Sequence, residues 1–226
     1  MLISKQRKFI FIHIYKTAGL SMTNALKPFA VDAVPEKKWQ RFAYRAAKKI
    51  DRLISFDAES FLTHTKAPEL INAIGKKTFD SYYSFAVVRN PWDWQVSLYH
   101  YMRKSEDHHQ HEFAKSLASF DEYIRWRCAE EVRFQKDFIY SAEGELLVDF
   151  VGKFENIEDD FKTICSKIGV QASLPKLNVS NTKPYQEFYS EETRELVRNA
   201  FDADIKLFGY DFEPASLMQR SLTSAE

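Results

Sequence analysis

The chain has 226 residues, of which 45% are hydrophobic and 15% aromatic, and its 32 Lys and Arg balance 32 Asp and Glu. This length predicts a single domain over residues 1–226 with a full hydrophobic core, and the charge balance argues against a general nucleic-acid binder. Cys128 and Cys165 are too few for a secreted disulfide framework, and no apolar run approaches the roughly 18 residues of a membrane span, so we expect a cytoplasmic protein.

The first predicted element is the apolar run at residues 9–15, which is β-branched or aromatic except for one histidine. Such a run indicates a strand buried inside a sheet. Lys16, Thr17, Gly19 and Ser21 follow it and lead into a helical pattern. Backbone N–H groups and the positive end of a helix attract anions, the lysine adds charge, and the two hydroxyls can donate hydrogen bonds. The turn therefore predicts a phosphate or sulfate site.

Two helical patterns come next. Residues 39–53 combine an apolar stripe with many lysines and arginines, which we interpret as a solvated face rather than a surface for an acidic glycan. His64 precedes a short amphipathic stretch that ends at Gly75. Histidine is the usual base near neutral pH, so His64 is a candidate base, with a surface or capping role as the alternative. His13, which strand alternation favours burying beneath the sheet, and His100 compete with it.

A second motif follows the apolar run at residues 84–88. Arg89 comes directly after this run, and Pro91 predicts the first position of a helix that contains Ser97 about two turns later. The predicted buried stripe of this helix consists of Trp94, Leu98 and Tyr101. Open α/β sheets bind ligands at the carboxyl ends of their strands, so a cation and a hydroxyl here suit a second anionic group. An ion pair with a surface carboxylate would explain the arginine equally well.

The rest of the chain predicts helices and loops. Helix-compatible patterns cover residues 119–136, residues 156–168 and a segment that starts after Ser190 and ends at Gly209. Residues 178–185 form a polar, proline-ended stretch that predicts a loop, and the chain ends in a polar tail from about residue 215. The histidine-rich stretch is interpreted as a solvated loop rather than a metal site, because no cysteine lies near it; its histidines are His108, His109 and His111.

The turn K-T-A-G-x-S differs from a Walker A loop, in which the lysine follows the second glycine. Together with R-N-P and the S-x-Y-x-Y helix, in this order, it resembles the motifs of carbohydrate sulfotransferases that use 3′-phosphoadenosine 5′-phosphosulfate (PAPS), the family of heparan sulfate 2-O- and chondroitin 4-O-sulfotransferases. Residues 147–156 resemble the family's third core strand, and residues 201–212 its C-terminal helix and tail. Tyr15, Leu20 and Trp94 depart from the family's usual proline, threonine and arginine.

The resemblance implies an α/β, P-loop-like, three-layer fold with a central, mainly parallel sheet and helices on both faces. It implies PAPS as donor, 3′-phosphoadenosine 5′-phosphate (PAP) as product, a carbohydrate or glycolipid-like acceptor, and no metal. Lys16 would hold the 5′-phosphate and the bridging oxygen, Arg89 and Ser97 the 3′-phosphate, and His64 would be the base. Lys183 matches the cation of a late loop that covers the nucleotide, whereas a solvated linker would explain the composition of this segment equally well. The other expected cradle residues are Thr17, Ala18, Gly19, Leu20 and Ser21.

Two other functions fit the sequence. One is a P-loop nucleotide kinase, against which the lysine-first turn and the lack of a dedicated metal motif argue. The other is a non-catalytic PAP-binding or glycan-binding protein on the same fold. Eukaryotic relatives typically carry an N-terminal membrane anchor, whereas residues 1–7 are too short and too charged for one. This predicts a bacterial-type soluble enzyme or a chain that has lost its anchor.

Overall fold

The computed structural model describes residues 1–30, 64–175 and 183–213. The predicted helix at residues 39–53, most of the predicted loop at 178–185 and the tail from about residue 215 lie outside the described residues. Internal contacts divide the chain into two compact units, of which the first comprises Met1–Val88 and Asp137–Leu177 and the second Arg89–Lys136 and Asn178–Glu226. The single domain over the whole chain stays a prediction.

The first unit contains a four-stranded, mostly parallel sheet in the order β1-β2-β3-β4. Its strands are β1 (Leu2–Ser4), β2 (Phe9–Ile12), β3 (Tyr83–Val88) and β4 (Phe150–Lys153). Only β1 is antiparallel, to β2; the pairs β2–β3 and β3–β4 are parallel. This confirms the mixed α/β class and the mainly parallel sheet. β2 is shorter than the apolar run at residues 9–15, because its pairing with β3 ends at Ile12–Ala86, whereas β3 includes the whole run at residues 84–88.

Helices alternate with these strands along the chain. In chain order they are α1 (Gly19–Ala30), α2 (Ala67–Ile74), α3 (Lys76–Phe79), α4 (Pro91–Lys104), α5 (His111–Ser116), α6 (Phe120–Glu130), α7 (Ile157–Ile168), α8 (Glu191–Ala200) and α9 (Asp202–Phe208). Short 3₁₀ turns occupy Lys136–Phe138, Phe154–Asn156 and Tyr185–Phe188. Within the described residues, no helix is both long and apolar enough to cross a membrane.

The core of the first unit explains its continuous apolar runs. Every residue of β2 is fully buried, as expected for a strand covered on both faces. One face of the sheet packs against α1 and α7, in a cluster that includes Phe9, Phe11, Phe85, Val87, Met22, Leu26, Phe161 and Ile164. The alternating residues Ile10, Ile12 and Ala86 are equally buried. Helices on that second face, and with them a three-layer P-loop-like arrangement, stay a prediction.

The second unit begins at Arg89, just before the helix whose start Pro91 predicted. The Asn90 side chain accepts a hydrogen bond from the Trp92 backbone N–H at 3.1 Å, and Pro91 occupies the first helical position. The predicted stripe of α4 is correct for Trp94, which is fully buried, but wrong for Tyr101, which is 43% exposed. The buried face at this end of α4 passes through Met102 instead.

Three other predictions for the second unit need correction. The helix predicted to reach residue 136 ends at Glu130, and the helix predicted after Ser190 divides at Phe201 into α8 and α9, although Ser190 caps it as expected. His111 is buried and places Nδ1 2.9 Å from the Met102 carbonyl oxygen, so this histidine is not in a solvated loop. For His111, the contact with the Met102 carbonyl oxygen overrides the local pattern.

Candidate functional site

The turn after β2 has an unusual backbone. Lys16 and Ala18 both have φ of 63°, in the left-handed region that non-glycine residues rarely adopt, while Thr17 between them does not. Alternating handedness turns successive N–H groups toward one side and forms a nest of the kind that binds anions. α1 begins at Gly19, and its first N–H groups have no intrahelical acceptor. The backbone of this turn is therefore suited to an anionic ligand.

The hydroxyl groups of Thr17 and Ser21 have different surroundings. Thr17 Oγ1 donates a buried hydrogen bond to the Ile14 carbonyl oxygen at 2.8 Å. This bond closes the turn. It engages the hydroxyl proton of Thr17, which was expected to bind a ligand. The backbone N–H of Thr17 remains its means of contacting an anion. Ser21 lies in the first turn of α1 and is 6% exposed, and the side chain of Lys16 is half-buried.

Gly19 is required by its contact with His13. A Cβ atom at residue 19 would lie 1.6 Å from Nε2 and 1.9 Å from Cδ2 of His13, far inside van der Waals contact. The φ angle of Gly19 is not positive, so the need is for space and not for conformational freedom. The His13 ring also stacks on Phe11, with 5.7 Å between centroids. His13 thus lies beside the start of α1. The expected burial is confirmed in part, but the ring is not a hydrogen-bonded core histidine, because its buried Nδ1 has no partner among the described residues.

His64 packs against the end of β2. Its ring centroid lies 4.6 Å from that of His13 and 6.0 Å from that of Tyr15. His64 Nδ1 lies 3.0 Å from the His13 carbonyl oxygen. Because a carbonyl only accepts hydrogen bonds, Nδ1 carries the proton and the lone pair of the neutral ring is on Nε2. The structure therefore brings the exposed His64 to the strand that leads into the Lys16 turn.

Burial determines the protonation state of His13. Burial, together with smaller contributions from the N-terminal charge and His64, lowers the pKa of His13 to about 3. Its Nδ1 atom is buried and has no hydrogen-bond partner in the part of the chain that the structure describes. His13 is consequently neutral at pH 7.

In the second unit, Arg89 is held at two points. Its Nε donates to Asp93 Oδ2 at 2.7 Å, and the two side chains are only 12% and 21% exposed. Its backbone N–H and carbonyl both bond to the side-chain amide of Gln135. The alternative explanation, in which Arg89 pairs with a carboxylate, is therefore confirmed. The pair is largely buried, however, and does not lie on the surface.

Ser97 and Lys183 are connected through α4 and the 3₁₀ turn Tyr185–Phe188. Ser97 is half-buried, and His100 lies three residues further on the same helical face. The Phe188 ring meets the His100 ring edge-on at 5.2 Å, and Lys183 Nζ lies 5.1 Å from the Phe188 centroid. Lys183 also pairs with Glu187, with 3.8 Å between Nζ and Oε2. This places Lys183 beside the turn that covers the His100 side of α4.

The His100 ring carries a buried Nε2 atom without a hydrogen-bond partner among the described residues. Burial lowers its pKa, and the positive charge of Arg103 lowers it further. Groups of three or more His, Cys, Asp or Glu able to hold a metal do not occur within residues 1–30, 64–175 and 183–213.

Sequence reasoning missed two polar residues behind Arg89. Gln135 and Asp204 are both fully buried and connect Arg89 to α9 through hydrogen bonds. They lie 46 and 115 residues from Arg89 in the chain. A glutamine in a polar stretch and an aspartate in a helical pattern carry no local signal of such a role, so only the folded chain identifies them.

Comparison with known proteins identifies the family of this chain. Residues 1–211 match the sequence profile described as the sulfotransferase family. A protein of Archaeoglobus fulgidus described only as uncharacterized is 31% identical over 120 residues, which cover 51% of this chain and 92% of that protein. The family match spans both the Lys16 turn and the Arg89 helix, and it reaches almost to the end of the chain. The protein therefore belongs to the sulfotransferase family.

Proposed function

We propose that this protein transfers the sulfuryl group of PAPS to a hydroxyl of a carbohydrate or glycolipid-like acceptor and releases PAP. The observation that carries the proposal is the turn after β2, where left-handed Lys16 and Ala18 precede the N-terminus of α1. Its backbone suits a phosphosulfate group, and sulfotransferases in general use PAPS as donor. The carbohydrate class of acceptor rests on the resemblance of the two motifs to the carbohydrate branch of the family.

Each anionic group of the donor has its own residues in this proposal. Lys16 and the backbone N–H groups from Thr17 to Ser21 hold the 5′-phosphosulfate. Arg89 and Ser97 hold the 3′-phosphate through charge-assisted and hydroxyl hydrogen bonds, and Lys183 contributes a further cation. In the reaction, the acceptor oxygen bonds to sulfur while the bond from sulfur to the 5′-phosphate oxygen breaks, leaving its electron pair on PAP. Lys16 stabilises the negative charge that develops on that leaving oxygen.

His64 is the proposed base. The hydrogen bond from Nδ1 to the His13 carbonyl oxygen fixes the ring and leaves Nε2 to take the proton of the acceptor hydroxyl. His13 is a poorer base because its pKa of about 3 means that it holds a proton only weakly. His100 is disfavoured for a similar reason, since burial lowers its pKa and encloses Nε2.

We also propose that the protein is a bacterial-type enzyme located in the cytoplasm. The support is that Cys128 and Cys165 are both free thiols. Burial raises the pKa of Cys128 to about 11, so this thiol is a poor nucleophile at neutral pH.

The test is calorimetric titration with PAP beside adenosine 5′-monophosphate (AMP), ADP and ATP with magnesium. We expect PAP to bind far more tightly than AMP, because only PAP carries a 3′-phosphate. Arg89→Ala should weaken PAP binding by about 1.5–3 kcal/mol and leave AMP binding nearly unchanged. Arg125→Ala is the matched control, because this arginine of the second unit is 51% exposed and pairs with Glu192.

The outcomes separate the three candidate functions. A preference for ATP over PAP, with phosphate transfer, would replace the proposal by a kinase. Tight PAP binding followed by transfer from radiolabelled PAPS to a member of a glycan and glycolipid panel would support the proposal. Tight PAP binding without transfer to any acceptor of the panel would point to a non-catalytic binding protein.

A further inference from the structure

We infer that Gln135 is a positioning residue for recognition of the 3′-phosphate, because its side-chain amide fixes the backbone of Arg89. The inference rests on the proposed function, in which Arg89 binds that phosphate. The Arg89 backbone N–H donates to Gln135 Oε1 at 2.8 Å, and Gln135 Nε2 donates to the Arg89 carbonyl oxygen at 2.8 Å. One buried amide therefore satisfies both backbone groups of the residue that follows β3.

The Gln135 side chain is itself held in place. It is fully buried, and its backbone N–H donates to Asp204 Oδ2 at 2.7 Å. The next residue, Lys136, donates its backbone N–H to Asp204 Oδ1 at 3.1 Å. Asp204 is also fully buried and belongs to α9. A continuous set of hydrogen bonds thus connects α9 to the backbone of Arg89.

Arg89 is thus held by separate contacts at its backbone and at its side chain. Gln135 fixes the backbone, while Asp93 in the first turn of α4 takes the Nε–H of the guanidinium. With both ends restrained, the orientation of the guanidinium is set before a ligand binds. Preorganised groups bind more tightly because they lose less freedom on binding, and loosely supported groups lose both affinity and selectivity.

The first test compares PAP with AMP by calorimetry in wild type, Gln135→Met, Arg89→Ala and the double variant. Methionine has a similar length but cannot bond to the Arg89 backbone. We expect Gln135→Met to weaken PAP binding by roughly tenfold and to change AMP binding by less than about twofold. In the Arg89→Ala background, Gln135→Met should have no further effect on PAP binding, because Gln135 acts through Arg89.

Two further variants control for general loss of structure. Gln135→Glu keeps the acceptor for the Arg89 N–H but loses the donor to its carbonyl, so a loss of PAP affinity smaller than that of Gln135→Met is expected. Asp149→Asn weakens hydrogen bonds at the start of β3, where Asp149 Oδ2 accepts from Ser84 N at 2.7 Å and from Ser84 Oγ at 2.8 Å. It should lower the melting temperature without changing the ratio of PAP to AMP affinity.

The results distinguish this inference from the proposed function. Equal affinity of the wild type for PAP and AMP would overturn the role of Arg89 and this inference with it. A selective wild type combined with unchanged selectivity in the folded Gln135 variants would overturn the inference alone. Additive effects of Arg89→Ala and Gln135→Met on PAP binding would also overturn it, because independent residues add.

Discussion

Replacing Gly19 with alanine tests the architecture of the turn directly. The added Cβ would lie 1.6 Å from His13 Nε2, whereas ordinary contact begins at 3.4 Å, so the ring must move by about 1.8 Å (3.4 − 1.6). Close packing against Phe11 and His64 leaves little room for such a movement. Forcing extra atoms into a packed site costs about 1–3 kcal/mol.

A second effect acts in the opposite direction but is smaller. Alanine is a better helix former than glycine by at most about 1 kcal/mol, and Gly19 begins α1. Because a contact of 1.6 Å places the steric cost at the upper end of its range, we expect Gly19→Ala to lower the free energy of unfolding in urea by about 1–2 kcal/mol net. PAP binding should weaken by about tenfold or more, since distortion of the nest removes aligned N–H donors.

The reasoning depends on His13, which gives a sharp control. In a His13→Ala background the clash is absent, so Gly19→Ala should there cost nothing further in stability or in PAP affinity. Gly152→Ala is a matched control, because its Cβ would meet Asp160 at 3.2 Å and requires a shift of only a few tenths of an ångström. If Gly19→Ala is harmless, or equally harmful with and without His13, the steric explanation is refuted.

Other predictions concern the histidines and the threonine of the turn. His64→Ala should lower kcat by about 10²–10⁴ and leave PAP binding near normal, and retained turnover would place the base elsewhere. The pKa of His13 falls from 6.5 to about 3 on folding, so its stabilisation is complete above pH 6.5 and is lost as the pH falls toward 3. Between pH 7 and pH 5 the wild type should lose about 2 kcal/mol more stability in urea than His13→Gln, and equal losses would contradict the assignment. Thr17→Val should cost about 1–3 kcal/mol by leaving the Ile14 carbonyl without its donor, while Thr17→Ser should cost less; similar melting temperatures for the two variants would show that the bond matters little.

The candidate anion site could be predicted from the sequence because the turn and the side chains that would bind an anion lie in one short segment. Lys16, Thr17 and Gly19 lie in a strand-to-helix turn, and both the apolar run before them and the helical pattern after them are visible without any partner. The left-handed conformations of Lys16 and Ala18 were not predictable, because neither residue type favours that region. The steric need for Gly19 was equally hidden, since it depends on where the His13 ring lies.

The sequence by itself determined the elements whose signals are local. Buried runs predicted β2 and β3, Pro91 marked the start of α4, and Ser190 marked the start of α8, because caps and periodicity act within a few residues.

Only the tertiary structure decided the contacts that join distant segments. His64 reaches the His13 carbonyl across 51 residues, and Gln135 reaches Arg89 across 46. The end of α6 was also not predicted: the pattern continues to residue 136, but the helix ends at Glu130, and the backbone N–H groups of Gln135 and Lys136 bond to Asp204. A hydrogen bond between residues far apart in the chain leaves no periodic trace in either segment, and its energy appears only when the fold brings both partners together.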